Sequence, residues 1–240
     1  MARALRIRFE RTESLKYIAH LDTLRVFERA FKRSGIPIAW SQGFNPRQKL
    51  VFGLPMSIGL TSEAEYADVE LAGDVDPEAF VEIVNKSLPE GIQILNAVEQ
   101  KIKGNIMNQI TAARYEITFD TEKAMNFYEI QNFIMDFMDK ESILMMKKTK
   151  KGFKPANIRP MIFNLSSRKT GIQTFVLEAF LSAGAENNLR ADLLMDAFRQ
   201  ETGLNIRVIT MHRKALYASS WNEWKSPLEV ALEGMEMNYG

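Results

Sequence analysis

An α+β fold is predicted for these 240 residues by three observations. Segments alternating apolar and polar residues recur, apolar stripes of helical spacing fall between them, and the order of the two kinds repeats in each half. Leu5, Ile7 and Phe9 alternate with Arg6, Arg8 and Glu10, the pattern of a strand with one buried face. Leu21, Leu24, Phe27, Ala30 and Phe31 then form a helical stripe, with Arg25, Arg29, Lys32 and Arg33 on the other side. Asp22 reads as its N-cap and Ser34-Gly35 as its stop. Residues 36–41 read as a second strand, and Ala67, Val69 and Leu71 alternating with Tyr66, Asp68 and Glu70 as a third. Asp76-Pro77 opens a helix with the stripe Phe80, Ile83, Val84 and Leu88, and Ile92 to Val98 closes the half as a strand.

The second half repeats this order. Tyr115, Ile117 and Phe119 alternate as the first strand did, and Ile130, Phe133, Ile134, Phe137 and Met138 stripe a helix. Strands are expected near 142–147, 158–165 and 173–182, the last two joined by an SSRKTG turn. Leu189, Leu193, Leu194, Ala197 and Phe198 mark a helix stopped by Gly203, and Ile206 to Met211 a final strand. Each half spells β-α-β-β-α-β, so two tandem ferredoxin-like domains are expected, at 1–98 and 112–217, with a linker at 99–111 and a tail helix within 218–240. Gly43-Phe44-Asn45-Pro46 and Gly152-Phe153-Lys154-Pro155 occupy the same slot in the two halves, as an internal duplication would place them. In the tail, Ser226, Pro227 and Glu229 spell a capping box ahead of Leu228, Ala231, Leu232 and Met235, a helix that docks on its own domain or on a partner.

The absence of cysteine excludes disulfides, thiolate metal sites and cysteine nucleophiles. With two histidines, His20 and His212, a histidine-rich metal centre is not expected. No cofactor is expected for the chain. The opening MARALRIRFE has no apolar signal-peptide core, and no run approaches the roughly 18 apolar residues of a membrane span, so a cytoplasmic protein with no membrane partner is expected. A net charge of +1 conceals segregation: residues 1–50 carry eleven Lys/Arg against four Asp/Glu, residues 51–100 one against ten. No acid falls between Glu141 and Glu178, where Lys147, Lys148, Lys150, Lys151, Lys154, Arg159, Arg168 and Lys169 stand. Pairing within the fold explains part of the first imbalance; the second block points to a surface facing a polyanion.

The loop SQGFNPRQK, residues 41–49, admits two readings. Gly43 and Pro46 suit a turn with Arg47 and Lys49 left to solvent. The same basic side chains beside the ring of Phe44 suit a phosphate and a stacked base. The basic helix face with Arg25, Arg29 and Arg33 leads straight into this loop, and Lys147, Lys151, Lys154 and Arg159 flank its counterpart, giving a candidate RNA-binding set. Arg6 and Arg8 are discounted as ligand contacts, because the expected sheet order puts Asp68 and Glu70 across from them. The sheet also lacks the paired stacking aromatics of an RNA-recognition motif. His20, with Lys16 and Tyr17 close by in sequence, forms a candidate metal-independent catalytic group for 2′-OH attack on an RNA phosphodiester; a capping or packing histidine is the alternative.

The run from Tyr17 to Leu71, with HLD at 20–22, S-x-GFNPR at 41–47 and LP-x-x-IG at 54–59, resembles the radical-SAM-linked proteins, a domain of unknown function encoded beside or fused to radical SAM proteins. IRP at 158–160 extends the likeness into the second half. The resemblance implies a radical SAM protein as partner, on a separate polypeptide because no cysteine triad for a cluster stands here. A more distant likeness is to CRISPR repeat-associated RNA-processing proteins, built from two ferredoxin-like domains, some of which cleave RNA with a histidine near the first helix. Their glycine-rich loop near the C-terminus is missing from this sequence. Three functions follow as expectations: an RNA-binding or substrate-presenting module in tRNA or rRNA modification, an endonuclease using His20, or an adaptor for a radical SAM enzyme.

Overall fold

The computed structural model describes residues 3–101, 104–149, 152–220 and 223–233. Two compact units divide the chain, the first made of Met1–Thr111 with Ala215–Gly240, the second of Ala112–Lys214.

In the first unit, β1 (Arg3–Arg11) leads through a 3₁₀ turn to α1 (His20–Ser34), followed by β2 (Leu50–Phe52), β3 (Leu60–Leu71), α2 (Pro77–Asn85), β4 (Ile92–Glu99) and a single helical turn, α3 (Ile106–Gln109). β1 lies between β4 and β3, antiparallel to both, and β2 pairs with the far edge of β3. Leu5, Ile7 and Phe9 face α1 and α2 in a core with Phe27, Phe31, Val69 and Phe80, all fully buried or nearly so. Burying each such side chain stabilises the unit by about 1.5–3 kcal/mol. Asp76 caps α2 as its sequence predicts, accepting from the amides of Glu78 and Ala79.

The opposite face of β1 is covered where it carries Arg6. The Arg6 guanidinium is completely buried, donating from Nε and Nη2 to the two carboxylate oxygens of Asp68 (2.7 and 2.9 Å) and from Nη1 to Gln109 Oε1 and the Pro227 carbonyl. Gln109 belongs to α3 and Pro227 to a C-terminal helix that returns to this unit and packs on β1 and β4, so three sequence-distant segments meet on one cation. Arg6 pairs with Asp68 as expected, but Arg8 stands opposite Tyr66 and donates to the Glu63 carbonyl, while Glu70 engages Lys49.

In the second unit, β5 (Ile110–Thr121, begun in the first) is followed by α4 (Phe127–Met138), β6 (Leu144–Thr149), β7 (Gly152–Asn157), β8 (Ile162–Lys169), β9 (Thr174–Ser182), α5 (Ala191–Thr202) and β10 (Ile206–Ser220), whose end lies in the first unit with β11 (Glu223–Lys225) and α6 (Pro227–Glu233). Here the order is β10-β5-β9-β8, and β6 and β7 form a separate two-stranded sheet. The protein is thus α+β, with six α-helices among the described residues.

Several element expectations need correction. Residues 36–41 make only isolated bridges, Ile38 to Leu71 and Trp40 to Gln48, because Pro37 offers no amide and the chain turns away after Trp40. The edge strand comes later, at β2. Gly152 to Pro155 lies in β7, with Thr149 opposite Gly152, so it is not the counterpart of the 43–46 loop. Residues 105–109 are ordered by Asn105, whose side chain accepts from the Met107 amide and caps α3. α1 begins at His20, so Asp22 sits in its first turn rather than at its cap.

Candidate nucleic-acid interface

α1 owes its orientation to an apolar stripe. Phe27 meets Phe9 and Phe52 edge-on, at centroid distances of 5.0 and 5.6 Å, and Ala30 and Phe31 are equally buried. With that stripe fixed, Arg25, Glu28, Arg29 and Lys32 must lie on the outer flank. Gly35 ends the helix at φ 70°, a left-handed conformation that L side chains resist, and turns the chain back along the β3 edge. There Ala72 donates to the Pro37 carbonyl (2.7 Å) and Ala39 to that of Glu70 (2.8 Å).

The next residues close a small hairpin. The Lys49 amide donates to the Ala39 carbonyl (2.9 Å), the Ser41 amide to the Arg47 carbonyl (2.8 Å), and the Arg47 amide to Ser41 Oγ (2.9 Å). Gly43 takes φ 120° at the tip. The hairpin stands across from the outer flank of α1, and the two enclose a groove of about 580 Å3. Leu21, Leu24, Trp40 and Pro46 give it apolar surface; Arg25, Arg29, Lys32 and Arg47, with Glu28 among them, give it charge. Gln48 completes the lining.

The cations differ in availability. Arg25 Nη1 donates to Asp22 Oδ1 at 2.9 Å, one turn away. Arg29, Lys32 and Arg47 form no ion pair among the described residues. Lys49 lies outside the groove, 2.7 Å from Glu70 Oε2, and Arg33 donates to the Ser87 carbonyl. Phe44 is fully exposed at the hairpin tip and does not line the groove. Of the predicted set, Arg25, Arg29 and Arg47 therefore come together, and Arg33, Phe44 and Lys49 do not. Trp40, a residue 53% exposed, was not singled out by sequence. Alternation with Ile36 and Ile38 would bury it, and only the loss of regular pairing at this edge turns it outward.

His20 also stands outside the groove. Its partly buried ring lies edge-on to Phe52 at 5.3 Å, and burial, assisted by the nearby Arg11 cation, lowers its pKa below the usual 6.5. Lys16 pairs with Glu13 at 2.5 Å, its ammonium 5.1 Å from the ring centre of the exposed Tyr17.

The basic block of the second unit is partly engaged internally. Arg159 donates to the Met138 and Ile162 carbonyls, both at 2.9 Å, and so ties the end of α4 to β8. Arg168 reaches Glu116 and Glu178 at 3.7 and 3.9 Å, so the absence of acids within the block's own sequence does not leave this cation unpaired: the acids come from β9 beside β8 and from β5 beyond it. Lys169 donates to the Met125 carbonyl. Lys154 is exposed on β7; Lys151 and the side chain of Lys147 lie outside the described residues. Among the described residues, no group of three or more His, Asp or Glu is placed to hold a metal ion, and no helix is long and apolar enough to cross a membrane.

Residues 4–191 match the family described as "Uncharacterized protein conserved in bacteria (DUF2344)". The chain belongs to that family. No curated protein matches this DUF2344 member. Among solved structures, a chain of a Cbf5-Nop10-Gar1 complex is similar over 88% of this chain and 48% of its own length, with a TM-score of 0.55 and 7% identity. A chain of an archaeal box H/ACA sRNP Nop10-Cbf5 complex gives 87%, 46%, 0.47 and 7%. An unknown protein from Galdieria sulphuraria gives 87% and 98% coverage, with a TM-score of 0.25 and 10% identity. The DUF2344 chain thus spans about half the length of the first two, and at 7% identity the first likeness is one of fold alone.

Proposed function

We propose that this protein is a non-catalytic RNA-binding module that presents substrate to a radical SAM enzyme in tRNA or rRNA modification. The observation that carries the reading is the groove between α1 and the 39–49 hairpin, where Arg29, Lys32 and Arg47 have no carboxylate partner among the described residues and lie beside the exposed Trp40. Unpaired cations on a concave wall bind phosphate oxygens by charge, and an aromatic floor accepts a base face. The matching order of elements, β1-α1-β2-β3-α2-β4 and β5-α4-β8-β9-α5-β10, supports reading the units as two ferredoxin-like copies, the second with a hairpin inserted. The resemblance of residues 17–71 to radical-SAM-linked proteins supports the choice of partner.

Titration of a labelled RNA oligonucleotide, followed by fluorescence anisotropy at several salt concentrations, tests the reading. Binding is expected to weaken as salt rises, and Arg29→Ala with Arg47→Ala to weaken it further. Unchanged affinity in that double variant contradicts it. Capture of a radical SAM protein from native lysate, with bound RNA sequenced in the same sample, tests the partner.

An endonuclease reading has one observation in its favour. The lowered pKa keeps the His20 imidazole neutral near pH 7, the form a general base requires. Its packing against Phe52 and the pairing of Lys16 with Glu13 favour a structural role instead. RNA cutting by chelator-treated protein, abolished by His20→Ala, would establish the enzyme.

A further inference from the structure

We infer that the groove takes a single-stranded, unstacked RNA nucleotide, with its base on the Trp40 indole and the adjoining phosphates on Arg29, Lys32 and Arg47. The inference rests on the RNA reading above and adds which form of RNA is bound and which side chain selects it.

Three features of the groove lead there. First, a surface for duplex backbone needs cations and amides, not an apolar floor, because the base faces of a duplex are covered by their neighbours. This groove has such a floor in Leu21, Leu24, Trp40 and Pro46, and the indole is about half exposed. Second, its volume of about 580 Å3 falls in the range of sites that enclose one small-molecule-sized group. A nucleotide fits such a space, and a nucleic-acid helix does not. Third, the charges are laid out along a line with a break in it. Arg25, Arg29 and Lys32 recur at i, i+4 and i+7, a row about 10 Å long on α1, and Arg47 faces them from the hairpin.

The break is Glu28, which lines the same wall and forms no ion pair among the described residues. A carboxylate there repels a phosphate but accepts a hydrogen bond from a sugar hydroxyl or a base amino group. The wall therefore suits a nucleoside between phosphates better than an uninterrupted phosphate track. An acidic peptide offers charge for the cations and amide donors for Glu28, but its carboxylate side chains supply no flat face to stack on Trp40.

The test compares three labelled ligands of one sequence, an octamer RNA, its duplex, and an octamer with abasic sites, against wild type and the variants Trp40→Ala, Trp40→Phe and Arg29→Ala. Far-UV circular dichroism and thermal melting establish that each variant is folded. The single strand is expected to bind more tightly than either other ligand. Trp40→Ala should weaken it about 5- to 100-fold while leaving duplex and abasic binding unchanged, and Trp40→Phe should restore most of the loss. Arg29→Ala should weaken all three ligands alike.

Duplex bound as tightly as single strand, with no effect of Trp40→Ala but a loss in Arg29→Ala, overturns this inference and leaves the RNA reading standing. A polyglutamate peptide of matched charge that displaces the octamer as well as unlabelled octamer does also overturns it, in favour of a protein ligand. Failure of folded wild type to bind any of the three RNAs overturns both readings together.

Discussion

Arg6 and Arg29 carry the same charge and have opposite consequences for the protein. Arg6 is fully buried and bidentate on Asp68, so truncating it leaves a mostly buried carboxylate with Gln100 Nε2 as its remaining side-chain donor, and takes one donor from each of two further acceptors. Arg6→Ala is expected to destabilise the first unit by about 3–5 kcal/mol, whereas Arg29→Ala should change stability by no more than about 0.5 kcal/mol. Urea denaturation of the two variants checks the contrast. His20 supplies a pH dependence of definite sign. Its folded pKa lies below the unfolded value near 6.5, so the unfolded state binds the extra proton first, and its contribution to stability is present above that value and lost as pH falls through the folded pKa. Wild type should therefore lose more stability than His20→Gln between pH 7.5 and 5.5 in parallel denaturation curves; equal losses would contradict a depressed pKa. Strand alternation together with the expected sheet order made the Arg6–Asp68 pairing legible. Its two further acceptors, Gln109 and the Pro227 carbonyl, were not, because they arrive from segments about 100 and 220 residues away.

Among the elements, those with a full stripe or a full alternation stand where the sequence puts them: β1, the second half of β3, α1, α2, β4, β5, α4, β9 and α5. Capping chemistry was equally readable at Asp76 and at Ser226, whose amide donates to Glu229 while its hydroxyl accepts from the Glu229 amide. Asp76→Ala is expected to cost about 1 kcal/mol through two lost acceptor contacts at the start of α2, measured by thermal or urea unfolding. Gly35→Ala should cost about 1–2 kcal/mol from its left-handed backbone and, by disturbing the turn into residues 36–40, should weaken RNA binding as well. The segments that escaped reading are short: β2 has three residues, and β7, the second strand of a lysine-rich hairpin, has six. Their pairing is decided by which neighbouring backbone has unsatisfied amides and carbonyls, a fact about tertiary placement that no local period records. The groove inherits that difficulty. Its α1 wall was visible as a basic stripe, while its hairpin wall depends on two backbone hydrogen bonds between residues 39 and 49 and on the bond from the Arg47 amide to Ser41 Oγ.

At the scale of the molecule, the segregation of charge along the chain resolves into matched and unmatched cations. Arg6 and Lys49 meet acids from residues 51–100, and Arg168 meets Glu116 and Glu178, so most of what looked like a second polyanion surface is spoken for by backbone carbonyls or carboxylates where the structure describes it. Among the described residues, the unmatched cations that share one concave surface are Arg29, Lys32 and Arg47. Three phosphate contacts on a single strand imply a slope of log affinity against log salt of about −2, with each cation removed reducing it by about 0.7. The account therefore stands or falls most directly on that slope for the single-stranded octamer, compared between wild type and the triple variant of Arg29, Lys32 and Arg47 to alanine. A slope near −2 that falls close to zero in the folded triple variant is the expected result; the same slope and affinity in both proteins would contradict the groove as the binding site.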